Sequence, residues 1–230
     1  MRVAMILSGS GFLDGSEIHE AVLALAALDR LGARVTLAAP DVEVAAVDHR
    51  TGKPAGGKRS SLAEAARIAR GRIVDVRTLS ADEFDALVMP GGYGAAKVLC
   101  DFESAGAQAR VEPGVARFVL AMHRAGKPIA AICIAPAVVA AVLRDAGVRA
   151  KLTLGDDPAL RSTLEAMGQE GADCPVERCV VDERARIVTT PAYMFEARIA
   201  DVARGIEQAM QALARLAESA ALPGPAATTN

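Results

Sequence analysis

The chain has 230 residues, a formal net charge of −2 and 52% apolar residues. This length allows one large or two small α/β domains, and without a basic block nothing indicates a nucleic-acid partner. Only 3% of the residues are aromatic and none is Trp. The core must therefore consist of Ala, Val, Leu and Ile, as is typical of a parallel sheet covered by alanine-rich helices.

The cysteines and the N-terminus indicate a reducing compartment. Residues 1–7 predict a strand and lack the longer apolar region and cleavage site of a signal peptide. No apolar run approaches the length of a membrane span. No C-x-x-C spacing occurs among the four cysteines, which are Cys100, Cys133, Cys174 and Cys179. We therefore expect reduced thiols, a cytoplasmic protein and no membrane partner.

The N-terminal part predicts a βαβ unit. Residues 3–7 form a continuous apolar strand, Ser16 is expected to cap a helix that ends at Gly32, and residues 35–39 form the second strand. The apolar residues predicted on one face of this helix are Ile18, Ala21, Val22, Leu25 and Leu28. The unit implies parallel pairing with a right-handed crossover.

The loop after the first strand carries glycines but does not fit a cofactor site. In the pattern G-x-G-x-x-G that begins at Gly9, the third glycine falls at Asp14, and no acidic residue ends the second strand. His19 lies between Glu17 and Glu20, but a helix cannot place these three residues on one face to bind a metal. We expect neither a dinucleotide cofactor nor a metal, and we expect His19 to be a surface or capping residue.

The middle of the chain predicts a hairpin, a helix and two more strands. The hairpin has a strand at 44–47, and the helix covers 61–70. The strands cover 73–76 and 85–89, and the second of these ends in a glycine-rich turn at 90–94. Glycines at the carboxyl end of a parallel strand can present bare N–H groups to an anion. The alternative is an ordinary tight turn.

Cys133 lies between a short strand and a helix. A helix is predicted over 113–126, and an apolar run then leads directly into Cys133 and a second helix from Pro136. A nucleophile on such a turn is lifted out of the sheet, and the small residues Ala131 and Ala135 suit the cramped turn. The alternative is a structural thiol, because free cysteine is among the most buried residue types.

The C-terminal part completes one domain. A short strand and a helix are predicted between 152 and 168, and further strands at 174–181 and 186–190. A last amphipathic helix follows. We find no repeat and no linker, and therefore predict a single α/β domain over 1–218 with a disordered tail over 219–230.

Three loops are expected to meet at one edge of the sheet, since each follows a parallel strand. Cys133 offers a sulfur, which the dipole of the following helix would favour as thiolate. The helix near Ser16 offers two carboxylates, although acidic residues in a first turn also serve as caps. The candidate residues are Cys133, Glu17 and Glu20 for catalysis, and Gly91, Gly92 and Ile134 for holding an oxyanion or substrate.

Five segments, at 6–9, 14–20, 89–97, 133–136 and 187–194, resemble the ThiJ/PfpI superfamily with its class I glutamine amidotransferase-like fold. They resemble most closely the ElbB-type branch, often labelled isoprenoid-biosynthesis or glyoxalase proteins. The resemblance covers nearly the whole domain. It implies a flavodoxin-like, doubly wound α/β sandwich with a mainly parallel sheet, helices on both faces and a nucleophile elbow. It also implies a homodimer.

The resemblance further implies a glutamate against the sulfur. Glu20 matches its position better, while Glu17 lies one turn earlier and is also kept. A protonated carboxyl that donates to sulfur would hold it ionised. The superfamily's histidine is missing, because amidotransferases and PfpI-type members have His directly after the cysteine, where this chain has Ile134. The loop 153–157, from which glyoxalase-type members take a His, has none either.

The implied activity is a cofactor-independent glyoxalase reaction on a small dicarbonyl or aldehyde, from glyoxal to glycolate and from methylglyoxal to lactate, through a hemithioacetal on Cys133. Two alternatives stay open. One is a non-enzymatic or redox-responsive binding protein with an oxidisable Cys133. The other, disfavoured by the missing His, is a glutaminase-related protein.

Overall fold

A computed structural model describes residues 1–221, and a seven-stranded sheet forms its centre. The strands are β1 (Arg2–Ile6), β2 (Arg34–Ala39), β3 (Glu43–Asp48), β4 (Lys53–Ser60), β5 (Ile73–Asp75), β6 (Ala86–Met89), β7 (Ile129–Ile132), β8 (Lys151–Leu152), β9 (Glu170–Gly171), β10 (Val180–Asp182) and β11 (Ile187–Thr190). The central order is β10-β11-β7-β6-β1-β2-β5. Only β10 pairs antiparallel in it. The predicted hairpin is the separate pair β3–β4, and β8 pairs with β9.

Helices cover both faces of this sheet. They are α1 (Ile18–Arg30), α2 (Ser61–Ile68), α3 (Phe102–Ala105), α4 (Pro113–Arg124), α5 (Pro136–Asp145), α6 (Pro158–Ala166) and α7 (Ile199–Ala221). Alternate strand residues point to opposite faces, and the buried residues accordingly form two clusters. One joins Ile6 and Met89 to α4 and α5, and the other joins Met5 and Val88 to α1 and α7. The architecture is the predicted flavodoxin-like, doubly wound α/β fold.

Helix α1 differs from the prediction in its cap and its buried face. Glu17, not Ser16, is the N-cap, and its Oε2 accepts the N–H of Glu20 at 2.7 Å. Ser16 is buried and its hydroxyl accepts the N–H of Ser8 at 2.9 Å. Ile18 and Val22, predicted on the buried face, are 44% and 50% exposed. The helix buries Ala21 and Leu28, as predicted, together with Ala24, Ala27 and Glu20.

The C-terminal part is also more irregular than expected. The strand predicted at 174–181 is confined to Val180–Asp182, and α7 continues to Ala221. The tail predicted as disordered from 219 therefore begins within this helix, and residues 222–230 lie outside the described residues. Within residues 1–221 no helix is long and apolar enough to cross a membrane.

Candidate active site

The loops that follow four neighbouring strands meet at one edge of the sheet. β1, β6 and β7 are adjacent and parallel, as the prediction of a shared edge requires. β11 also runs parallel to β7, on its other side. The turn after β11, Ala192–Met194, therefore reaches the same edge and contributes residues that the sequence did not place there.

Cys133 occupies a sharp turn between β7 and α5. Its φ of 61° lies in the left-handed region, which costs a non-glycine residue about 1–2 kcal/mol. Its N–H donates to the carbonyl of Thr190 at 2.9 Å, which ties the turn to β11. The side chain is almost fully buried, and its sulfur lies 3.6 Å from Sδ of Met194. This is the predicted elbow geometry, held by neighbours on both sides.

Glu20 is the carboxyl that contacts the Cys133 sulfur. It is fully buried, and its two oxygens accept the N–H groups of Gly91 at 2.9 Å and of Tyr193 at 3.3 Å. Burial raises the pKa of Glu20 to about 8, and repulsion from Glu17 acts in the same direction. Glu20 therefore carries a proton at neutral pH and can hydrogen-bond to the sulfur.

The thiol of Cys133 is also held in its neutral form. Burial raises its pKa well above the ordinary value, and the charge that Glu20 gains when it ionises acts in the same direction. The N–H groups of Gly92 and Ile134 reach the sulfur and lower the pKa, but they do not outweigh burial. The expectation of a resting thiolate, held by the helix dipole and by a protonated carboxyl, is therefore wrong.

Glu17 has a different position from Glu20. Its Oε2 caps α1, while its Oε1 lies 4.0 Å from Nδ1 of His19. It lines the cleft in front of Cys133, whereas Glu20 lies beneath the sulfur. The two carboxylates that the sequence left as alternatives are both at the site, in different places.

His19 and Tyr193 form a pair that sequence reasoning missed. Nδ1 of His19 lies 3.0 Å from the Tyr193 hydroxyl, and both residues line the same cleft as Cys133. His19 was expected to be a surface or capping residue, and its side chain is indeed 55% exposed. Its partner lies 174 residues away in sequence, so no local spacing could have indicated the pair. The site thus contains an imidazole, although not at the superfamily's usual positions.

The glycine turn after β6 has two functions. Gly91 was expected to offer its N–H to an oxyanion, but that N–H is bonded to Glu20 instead. A Cβ at Gly91 would lie 2.5 Å from the Cβ of Cys133, so only glycine allows this approach. Gly92, with a φ of 87°, directs its N–H to the sulfur. Of the three expected donors, Gly92 and Ile134 direct their N–H groups to the Cys133 sulfur.

A cleft of about 730 Å³ opens in front of Cys133. Its volume is typical of a small-molecule site. The residues that line it are Phe12, Glu17, His19, Gly92, Tyr93, Ala96, Phe102, Glu103, Cys133, Ile134, Leu160, Tyr193 and Met194. Ala96 belongs to a π-helical turn at Ala95–Leu99, an irregularity that often marks functional sites.

The glycine loop after β1 is filled by the chain itself. A Cβ at Gly11 would lie 2.4 Å from Nε2 of His49, which belongs to the turn of the β3–β4 hairpin. His49 also accepts the N–H of Leu13 at 3.2 Å. The His49 ring therefore occupies the space beside Gly11. Within residues 1–221, no group of three or more His, Cys, Asp or Glu side chains is placed to hold a metal ion.

Fold and site together define an α/β protein with a buried cysteine on a strand-to-helix elbow, backed by a buried glutamate. Residues 1–197 match the model of the DJ-1/PfpI family, and the chain belongs to that family. This confirms the superfamily resemblance of the sequence.

Relatives of known name match almost the whole chain. The human protein "glutamine amidotransferase-like class 1 domain-containing protein 3, mitochondrial" is 44% identical over 216 residues, which cover 89% of this chain and 79% of that protein. The rat "ES1 protein homolog, mitochondrial" is 40% identical, with 89% and 80% covered. A crystal structure from Ehrlichia chaffeensis is named as an isoprenoid biosynthesis protein with an amidotransferase-like domain. Its sequence is 36% identical to this chain, and the match covers 94% of this chain and 99% of the Ehrlichia chain. The two structures superpose with a TM-score of 0.87.

Proposed function

We propose that this protein is a cofactor-independent glyoxalase of the ElbB-type branch, which converts glyoxal to glycolate and methylglyoxal to lactate. The observation that carries the proposal is the environment of the Cys133 sulfur. The sulfur contacts a protonated carboxyl and two converging N–H groups, and it borders an open cleft. These are the parts that covalent addition to a carbonyl requires. The likeness to the Ehrlichia isoprenoid biosynthesis protein supports the choice of branch.

The first step is addition of the thiol across the aldehyde. The sulfur–carbon bond forms as the S–H proton leaves, and the carbonyl oxygen becomes the hydroxyl of a hemithioacetal. Both groups start neutral at pH 7, because burial raises the pKa values of Glu20 and Cys133. Glu20 can then give a proton to the developing oxyanion and take one from sulfur, so no net charge is created in the buried site.

The second step moves a proton between the two carbons. Removal of the C–H proton from the hemithioacetal carbon gives an enediol, and reprotonation at the neighbouring carbon gives a thioester. Water then hydrolyses the thioester and restores the thiol. One carbon is oxidised, its neighbour is reduced and one water is consumed, so the reaction balances without an external oxidant or reductant.

Glu17, His19 and Tyr193 provide the route for this second proton. Glu17 lines the cleft, and His19 links it to the Tyr193 hydroxyl at the half-exposed mouth. Tyr193 also donates its backbone N–H to Glu20. We assign Glu17 as the base at the carbon and the His19–Tyr193 pair as its exchange path with solvent. This arrangement would replace the histidine that the sequence lacks next to Cys133.

The two other functions are less well supported. Burial raises the pKa of Cys133, which disfavours a redox sensor that reacts through a resting thiolate. In the proposed addition, by contrast, Glu20 takes the proton from sulfur as the sulfur–carbon bond forms. If Cys133 is nevertheless a sensor, dilute peroxide should oxidise it before Cys100, Cys174 or Cys179, as peptide mass spectrometry would reveal. A glutaminase needs a base beside the nucleophile, and Ile134 occupies that position. Failure to release ammonia from glutamine would remove this alternative.

The proposed reaction is tested by identifying its product. Carbon-13-labelled glyoxal is incubated with protein dialysed against a chelator, with no cofactor added, and followed by NMR. We expect labelled glycolate to accumulate at the same rate with and without the chelator, since each step uses groups of the chain. Loss of glyoxal without glycolate, or no loss at all, would contradict the proposal.

We also propose the oligomeric state and the partners of the protein, and consider its compartment. We expect a homodimer that acts on a free small molecule rather than on nucleic acid or a membrane. A cytoplasmic location was expected from the sequence, whereas the human and rat relatives are named as mitochondrial proteins. Fractionation of cells that express the tagged protein would decide between these two compartments.

A further inference from the structure

The cleft is much larger than glyoxal or methylglyoxal needs. Its volume of about 730 Å³ could hold roughly two dozen water molecules. Glyoxal has only two carbons and two oxygens, so it would occupy the space near Cys133 and leave most of the cleft to solvent. Pockets of this size commonly bury most of the surface of a ligand of drug-like size.

Most of the cleft lining is apolar. The apolar part is formed by the aromatic residues Phe12, Tyr93 and Phe102 and by aliphatic residues that include Ala96 and Leu160. Phe12 is 45% exposed and Tyr93 is 48% exposed. Large apolar side chains left in water along a concave surface typically mark a ligand site.

The charges at the cleft exclude an anionic tail. Within the described chain, the lining contains two carboxylates, Glu17 and Glu103, and no Lys or Arg. The nearby ammonium of Lys97 lies 3.0 Å from Glu103 and 5.1 Å from the centroid of the Tyr93 ring. Its charge is thus already paired. Among the residues that the structure describes, a phosphate or carboxylate on the ligand would therefore meet two carboxylates and no unpaired Lys or Arg at the lining.

We propose that the physiological substrates are 2-oxoaldehydes with a neutral apolar substituent of about six carbon atoms or more, bound with the substituent along Phe12, Phe102 and Leu160. The inference rests on the proposed carbonyl chemistry of Cys133. The reaction is the one given above: the thiol adds to the terminal aldehyde, the adjacent ketone carbon is reduced by the internal proton shift, and water releases a 2-hydroxy acid. Only the group on the ketone changes.

The first experiment compares substrates R–CO–CHO in which R is hydrogen, methyl, hexyl or phenyl. The wild-type kcat/KM should rise at least about tenfold from methyl to hexyl, because the added methylenes leave water. In Leu160→Ala, the ratio of the hexyl to the methyl value should fall about tenfold. Leu31→Ala is the matched control, since Leu31 is 42% exposed and lies outside the cleft. Equal kcat/KM values across the series would overturn the inference, as would an unchanged ratio in Leu160→Ala.

The second experiment measures binding without turnover. The unreactive ketone 2-octanone should slow the alkylation of Cys133 by iodoacetamide, and lactate at the same concentration should not. Peptide mass spectrometry measures the alkylation of Cys133 relative to that of Cys179. Protection by 2-octanone without any turnover would contradict the glyoxalase reaction and leave the apolar subsite supported. Turnover of glyoxal without protection would contradict the subsite alone.

Discussion

Glu20 is a carboxyl that folding transfers completely out of water. Its pKa is raised from 4.5 to about 8, first by burial and then by the charge of Glu17. An acid with a raised pKa binds more protons in the folded state than in the unfolded state across the interval between those values. Its contribution to stability is therefore present at low pH and is lost as the pH rises toward 8.

The raised pKa of Glu20 should make the free energy of unfolding depend measurably on pH. Between about pH 5 and about pH 9 the free energy of unfolding of the wild type should fall relative to that of Glu20→Gln, by an amount on the order of 4 kcal/mol. Urea unfolding at several pH values measures both proteins, and the difference cancels the titrating groups that do not interact with Glu20. A difference that stays constant with pH would show that Glu20 is ionised in the folded protein at neutral pH.

His19 and Tyr193 are expected to act as a unit. We predict that His19→Ala and Tyr193→Phe each lower kcat for glyoxal at least about tenfold with little change in KM, and that the double variant is no slower than either. His123→Ala, on α4, is the control. Additive losses in the double variant, or losses confined to KM, would contradict a shared path for the proton.

At the scale of the element, the elbow depends on the close approach of β6 and β7. Gly91→Ala places a Cβ 2.5 Å from that of Cys133 and 2.8 Å from the carbonyl oxygen of Ile132. We expect a loss of about 3 kcal/mol in the free energy of unfolding, because backbone and a buried side chain cannot yield. Thermal or urea unfolding measures the loss.

Gly114→Ala is the matched control for this effect. Its Cβ would meet only side-chain atoms, namely Cγ of Arg77 at 2.8 Å, Oε2 of Glu112 at 3.0 Å and Cγ1 of Val76 at 3.2 Å. Gly114 also lies in α4, where alanine is the better helix former. We therefore expect a smaller loss in the free energy of unfolding than for Gly91→Ala. Equal losses for the two variants would mean that the elbow is not the constrained point.

Local patterns in the sequence predicted the elements but not their rotation. The strand before Cys133, the helix after it and the glycine turn after Met89 are each set by neighbouring residues, and all three are confirmed. The prediction that Ile18 and Val22 lie on the buried face of α1 was wrong, because the helix turns its alanines and Glu20 inward. The inward orientation of Glu20 is stabilised by hydrogen bonds from the N–H groups of Gly91 and Tyr193, which lie far away in sequence. Residue spacing within α1 does not contain this information.

At the scale of the whole molecule, the sheet separates two cores that meet at the site. Cys133 packs with the α1–α7 cluster, while Ala135, two residues later, belongs to the α4–α5 cluster. The shared edge of β1, β6 and β7 was predictable, because loops that follow parallel strands lie at the same edge of a sheet. The cleft was not predictable from the sequence, because its walls come from segments between Phe12 and Met194 that only the folded chain brings together.

The proposed homodimer is a property of the molecule as a whole. We predict that light scattering behind size-exclusion chromatography gives twice the mass of the chain at micromolar concentration. Exposed Ile18 and Val22 lie one helical turn apart on α1 and are the first residues to replace in a test. A monomer mass for the wild type would contradict the expectation.

The central claim is that Cys133 is the nucleophile of a carbonyl reaction. The most direct measurement is the rate of glycolate release from glyoxal by the wild type, Cys133→Ser and Cys179→Ser, with unfolding curves to confirm that each is folded. We predict that Cys133→Ser loses at least about a thousandfold in kcat/KM while Cys179→Ser keeps the wild-type value. Equal rates for the wild type and Cys133→Ser would contradict the claim.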